Sequence, residues 1–264
     1  MRVLVSAFFL LFAQSTNAAG TCDINAIVQH AWPEAKPAAE GKMLTKSNQV
    51  IDITGNSAQS VICRVWPAHP ELTLAAIPLM AQQDNDYDHT GDLELLVLDS
   101  ASLDVKQRLR LPERMSDDAI RISGLMLDTA RWKVATNQTA FGLRIARTGS
   151  SRVNPFSEDV LSLFVIENNQ LRTILNGIVL ENSTGEWDGN CEGTFNDITR
   201  TLSLTPDSHN GYVDIRVSEK SVASNANLQA DAECTSKDKS SKASWTLLYN
   251  GKQYVVPKNL APLE

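Results

Sequence analysis

The sequence predicts a mainly β fold of antiparallel sheets with one short helix near its start. Two observations predict it: from about Gln49 onward apolar and polar residues alternate with the period of a half-exposed strand, and about a dozen such runs are separated by turn residues. A third concerns the helix: only DINAIVQHAW has its apolar residues, Ile24, Ile27, Val28 and Ala31, at helical spacing.

Taken in order, the first nineteen residues, MRVLVSAFFLLFAQSTNAA, have the form of a secretory signal: Arg2, an apolar core from Val3 to Ala13, then small residues. That core is shorter than the ~18 to 20 apolar residues a spanning helix needs, so no membrane insertion is expected. Cys22 invites a lipid anchor, but Thr21 before it and the lack of Leu three residues earlier fit that motif poorly. Removing residues 1–19 leaves residues 20–264 as a single domain in an exported compartment, most simply a bacterial periplasm.

Asp23 is placed to cap the helix, and Pro33 and Pro37 end it. SVICRVW puts Val61, Cys63 and Val65 on one face of a strand. LDVKQRLRL sets Leu103, Val105, Leu109 and Leu111 against Lys106, Arg108 and Arg110. Further strands are expected at 72–80, 93–98, 119–128, 141–145, 161–166, 174–180, 198–204 and 212–217. WTLLY and QYVVP form a last pair, joined by Asn250, Gly251 and Lys252, because Asn-Gly readily takes positive φ. Sandwich, barrel and propeller-like arrangements all satisfy this pattern. LELLVLDSASLDVKQRL and LSLFVIENNQLRTIL read as similar hairpins, but unequal spacing rules out a strict repeat. From 218 to 243 apolar residues nearly vanish, and a polar surface loop is expected there.

Four cysteines in an exported chain imply two disulfides. Three pairings can be drawn; Cys22 with Cys63 and Cys191 with Cys234 keeps each pair within its own half. A zinc site is not supported, since there is no C-x-x-C and His30, His69, His89 and His209 lack ligand spacing. The net charge of −7 becomes −8 without Arg2, and the basic residues are scattered, so nucleic acid is not an expected partner.

Two stretches suggest chemistry. In DNDYDHTGDLELLVLD, Asp84, Asp86, Asp88 and Asp92 stand at relative positions 1, 3, 5 and 9, with the carbonyl of Thr90 at position 7. Hard oxygen ligands at this spacing suit calcium. The stretch resembles the calcium loops of FG-GAP β-propeller blades, in which an acidic loop leads into an apolar strand. The resemblance covers nine residues and implies calcium held by those four aspartates and the Thr90 carbonyl. It departs from the family at His89, where a glycine is usual, and at Gly91, two residues late. An EF-hand fits less well, since position 12 is Leu95 and a strand follows. The other reading is an acidic turn.

GEWDGNCEG brings Glu186, Asp188 and Glu192 around Trp187. Two carboxyl groups beside an indole can bind or cleave a glycan, one protonating the leaving oxygen while the other attacks or activates water. The plainer reading is a disulfide-anchored turn. Arg152 and Asn154 in TGSSRVNPF read as a turn, and Ser236 with Lys239 is an S-x-x-K spacing without its usual surroundings. Nucleophile elbows, phosphate-binding glycine loops and H-E-x-x-H are absent from the sequence. The expectation is therefore a soluble exported binding protein, of inhibitor or immunity type, whose partner is a protein. The alternatives are an envelope glycan hydrolase or glycan-binding protein, and a structural envelope component. The layout is similar to that of many secreted bacterial proteins.

Overall fold

The computed structural model describes residues 22–82, 89–230 and 233–263. The signal-like segment 1–19 and Asp84, Asp86 and Asp88 lie outside them. Helix α1 (Ile24–Ala31) begins where Asp23 accepts a hydrogen bond from the Ala26 amide at 3.0 Å, and it buries Ile27, Val28 and Ala31. Among the described residues no helix is long and apolar enough to cross a membrane.

Of the arrangements the alternation allowed, a sandwich of two antiparallel sheets forms. The first holds β1 (Lys36–Pro37), β2 (Lys42–Leu44), β3 (Val50–Asp52), β4 (Ile62–Trp66), β5 (His69–Met80), β6 (Gly91–Asp99) and β7 (Val105–Leu111). Its order is β1-β2-β3-β5-β6-β7, and β4 also lies against β5. β5 is long enough to pair with β4 through Ala76 and with β3 at Met80, and Pro78, which has no N–H to donate, falls in the gap between them.

The second sheet is a meander: β8 (Ile120–Ala135), β9 (Gln138–Gly149), β10 (Phe156–Glu167), β11 (Gln170–Trp187), β12 (Gly193–His209), β13 (Tyr212–Leu228) and β14 (Cys234–Leu247), neighbours in that order. β8 carries register breaks near Ile122, Asp128 and Lys133, and the sheet rolls until β8 approaches β12 and β13.

Burial on both sides explains the near-continuous apolar runs in the middle strands. Leu74, Ala76, Leu93, Leu95 and Val97 of the first sheet pack against Phe141, Leu143, Ile145 and Phe164 of the second. The opposite face of the first sheet, with Ala75, Ile77, Leu79, Leu96 and Leu98, is covered by α1. Inside the roll of the second sheet, Leu161, Leu163, Val165, Ile174 and Ile178 meet Ile215, Val217, Leu247, Tyr249 and Tyr254. The two similar hairpins, β6–β7 and β10–β11, come from different sheets. They meet across the sandwich, where Gln107 donates to Asn169 Oδ1 at 3.0 Å.

The disulfides are Cys22–Cys63 and Cys191–Cys234, with Cα separations of 6.1 and 5.7 Å. The first ties the start of α1 to β4, and the second joins the β11–β12 turn to the start of β14. At Asn250 and Gly251 the chain does reverse, Gly251 having φ +93°. The return makes one bridge, Tyr249 to Tyr254, rather than a strand.

A second expectation is corrected. Residues 218–243 are not a loop: most belong to β13 and β14, paired in unbroken register from Ile215 with Leu247 to Leu228 with Cys234. The apolar alternation that announces a strand appears only where one face is buried, and here neither is.

Candidate functional site

Beyond the core, the ends of β11 and β13 and the starts of β12 and β14 continue as a four-stranded ribbon. No residue in Glu181–Trp187, Gly193–Thr199, Ser218–Leu228 or Cys234–Ala243 is buried. The backbone ladder and the Cys191–Cys234 bond near its tip hold it together, since neither face has apolar cover. Close packing is local: a Cβ added at Gly185 would stand 2.5 Å from the Phe195 ring, and one at Gly193 would stand 2.7 Å from the Glu186 carbonyl oxygen. Only glycine lets the strands and the ring approach this closely.

Near the tip is a shallow depression of about 480 Å³. Glu186, Trp187, Asp188, Glu192, Thr194 and Asn225 line it, with Asn154 and Asn227 nearby. The strand register explains the grouping, because Glu186 lies opposite Thr194, Thr194 opposite Asn225, and Asn225 opposite Lys237. Directly opposite residues share a face, so residues far apart in sequence form one polar row.

Glu186 and Asp188 differ in what they do. Asp188 Oδ1 accepts the amides of Asn190 and Cys191 at 2.8 and 2.9 Å, and these backbone hydrogen bonds hold its carboxyl below the usual range. It forms the turn, and a lowered pKa is the reverse of what a protonated general acid needs. Among the described residues the side chains of Glu186, Glu192, Thr194 and Asn225 have no hydrogen-bond partner in the fold. Trp187 is half-buried and, pairing with Gly193, points to the other face of the ribbon from Glu186, Thr194 and Asn225. The exposed Arg152 lies in the neighbouring segment, whose Val153 and Pro155 carbonyls accept the amides of Trp187 and Gly185. Ser236 and Lys239 fall on opposite faces of β14, as a spacing of three in a strand requires.

Of the calcium ligand set, Thr90 and Asp92 are described. Asp92 Oδ2 accepts from Arg110 Nε and Nη2 at 2.8 and 2.7 Å, and Oδ1 accepts the Glu113 amide at 2.8 Å. Burial raises the Asp92 pKa, but the Glu113 amide and the Arg110 charge outweigh it and hold the carboxyl low.

A second concavity, of about 660 Å³, takes in His89 and Thr90 of the acidic stretch, and no motif foreshadowed the rest of it. It lies between the sheets, lined by His89, Thr90, Asp117, Asp118, Arg147 and Glu158 among others. His89 Nδ1 is 2.5 Å from Asp117 Oδ1 and 2.8 Å from Arg121 Nη1, while Asp117 Oδ2 accepts the Ile122 amide at 2.8 Å. On the other wall Arg147 donates to Glu158 at 3.2 Å, and burial pushes the Glu158 carboxyl up despite that contact. Burial also lowers the nearby Arg114, which donates to Asn176 at 3.0 Å. These groups come from strands and connections scattered between 89 and 158, so no local spacing could have announced them. Each charged group named in this cleft has a partner within the fold, which marks it as a seam where the connections before β6 and β8 meet the second sheet.

Among the described residues no group of three His, Cys, Asp or Glu converges as a metal site. Set against family models, curated proteins and solved structures, the chain matches none of them.

Proposed function

We propose that this chain is an exported binding protein of the bacterial periplasm that engages a protein partner through the β11–β14 ribbon, in the manner of an inhibitor or immunity-type protein. The observation that carries the reading is that four strands run on past the core with no buried residue on either face, braced by their own disulfide. The ribbon contributes no residue to the buried clusters of the core, and a stiff surface lowers the ordering cost of association. The carboxylates at the tip suit a basic patch on the partner. A photo-crosslinking residue placed at Thr194 or Asn225, in the native compartment, is expected to capture a discrete partner, and the same residue at Lys46 is not. Absence of adducts from both ribbon positions overturns the reading.

A second reading, glycan binding at the tip, is favoured by a depression that Trp187 lines together with polar side chains that the fold leaves unengaged. An indole face with free hydrogen-bonding groups around it suits a sugar ring. Co-sedimentation with purified cell-wall glycan, lost in Trp187→Ala, tests it. Asp188 serving the turn favours binding over hydrolysis.

A further inference from the structure

Strand β14 has β13 on one side and, among the described residues, no strand on the other. Every residue from Cys234 to Ser244 is exposed, no bulge interrupts the ladder, and no proline lies within it. Open edges are usually shortened, bent by bulges, covered or guarded by charges such as lysine, because their free N–H and C=O groups pair with any suitable strand; of these devices β14 has only the charges. The hydrogen bond from the Gln229 amide to the Glu233 carbonyl sets the alternation along this pair. Thr235, Lys237, Lys239 and Ser241 bond back to β13, while Ser236, Asp238, Ser240, Lys242 and Ser244 turn their backbone groups outward.

The charges on this strand are unmatched within one copy. Lys242 stands opposite Lys220, and neither has a carboxylate partner among the described residues. Like charges directly opposite each other destabilise a strand pair. Asp238, on the same face as Lys242, accepts from the Ser236 hydroxyl at 3.1 Å and has no ion-pair partner among the described residues.

We propose that β14 pairs antiparallel with β14 of a second copy, about a two-fold axis at Ser240. A two-fold axis perpendicular to the sheet keeps each face on its own side, so only registers that place some residue opposite itself are allowed. With Ser240 opposite Ser240, Asp238 meets Lys242 of the second copy, and this happens twice by symmetry. Lys239 then faces Ser241, Lys237 faces Ala243, and Ser236 faces Ser244. The neighbouring registers are worse. An axis at Lys239 or Lys242 sets lysine on lysine, one at Asp238 sets aspartate on aspartate, and one at Ser241 leaves Asp238 facing Ser244. The Ser240 register alone supplies the counter-charge that Lys242 lacks, and it joins the two ribbons into one continuous sheet.

The test is the mass of the purified mature protein by sedimentation equilibrium at low salt. The wild type is expected to have twice the mass of the chain. Asp238→Lys alone, or Lys242→Asp alone, turns both symmetric contacts into repulsions and should weaken dimerisation about tenfold. The double variant restores the pairing with the charges exchanged. Ser240→Pro removes an outward N–H without touching the ladder to β13 and should give a monomer, whereas circular dichroism and disulfide mapping stay as in the wild type. A wild type that remains monomeric at its highest soluble concentration overturns the proposal and leaves the edge to a strand of another protein. Single variants that both dimerise as tightly as the wild type, or a double variant that does not recover, overturn the register.

Discussion

Arg200 of β12 and Glu219 of β13 face each other directly at the root of the ribbon, with Arg200 Nε donating to Glu219 Oε2 at 2.8 Å. Arg200 is buried, and its Nη1 also donates to the Val179 carbonyl at 2.9 Å. One guanidinium thus joins β11, β12 and β13 where the strands leave the core.

Breaking this pair from one side should cost more than replacing it. Glu219→Ala leaves a buried guanidinium without its counter-charge, and a loss of about 3 to 5 kcal/mol is expected in urea unfolding. Arg200→Leu combined with Glu219→Leu should lose clearly less, because no buried charge is stranded. Equal losses in the two variants would mean that the pair is solvated.

The Cys191–Cys234 bond closes a loop with a sequence separation of 43, and in the chain-entropy model such a loop stabilises by about 4 kcal/mol. Its position near the ribbon tip makes the expected effect local. Cys191→Ser with Cys234→Ser should speed amide exchange in 188–196 and 225–238 while leaving β5, β6 and β10 protected. Uniform acceleration across the core strands would show instead that the ribbon and the core unfold as one unit.

Asp159 of β10 governs a pH dependence. Burial raises its carboxyl above the ordinary value of 3.8; Arg144, 3.6 Å away, opposes the rise, and Glu181, its cross-strand partner, adds to it. A raised folded pKa means that the folded state holds the proton more tightly than the unfolded chain. The stability from this group is therefore fully present below the unfolded value and is lost as pH rises through the folded one. Asp159→Asn should flatten unfolding free energy against pH just above 3.8. An NMR titration placing Asp159 at or below 3.8 would contradict this.

Asp92 is held by Arg110 and the Glu113 amide, which makes it the residue on which the calcium reading is tested. Calcium bound by Asp84, Asp86, Asp88, Asp92 and the Thr90 carbonyl, as the FG-GAP resemblance implies, requires Asp92 to exchange Arg110 and the Glu113 amide for the ion. On that basis calcium should raise the melting temperature, corresponding to about 2.7 kcal/mol at a hundredfold excess over Kd, and Arg110→Ala should bind it more tightly. Melting temperatures indifferent to calcium and chelator in both proteins assign Asp92 to Arg110 alone.

The sequence by itself determined the elements whose cause is local. Asp23 caps α1 because a side-chain oxygen there reaches an amide three residues on, and Lys106, Arg108 and Arg110 alternate with buried or half-buried neighbours because one side of β7 faces water. The disulfide partners were legible because four cysteines leave few pairings. What only the tertiary structure decided involves distant residues or surfaces without apolar cover. Ser218–Ala243 looked like a loop because a strand exposed on both faces has no hydrophobic period to reveal it; its partners on β12 specify it through the backbone. The row Glu186, Thr194, Asn225 and Lys237, and the meeting of His89 with Asp117 and Arg121, exist only once register and sheet packing bring those residues together. Register is a property of paired strands, and a single chain segment does not carry it.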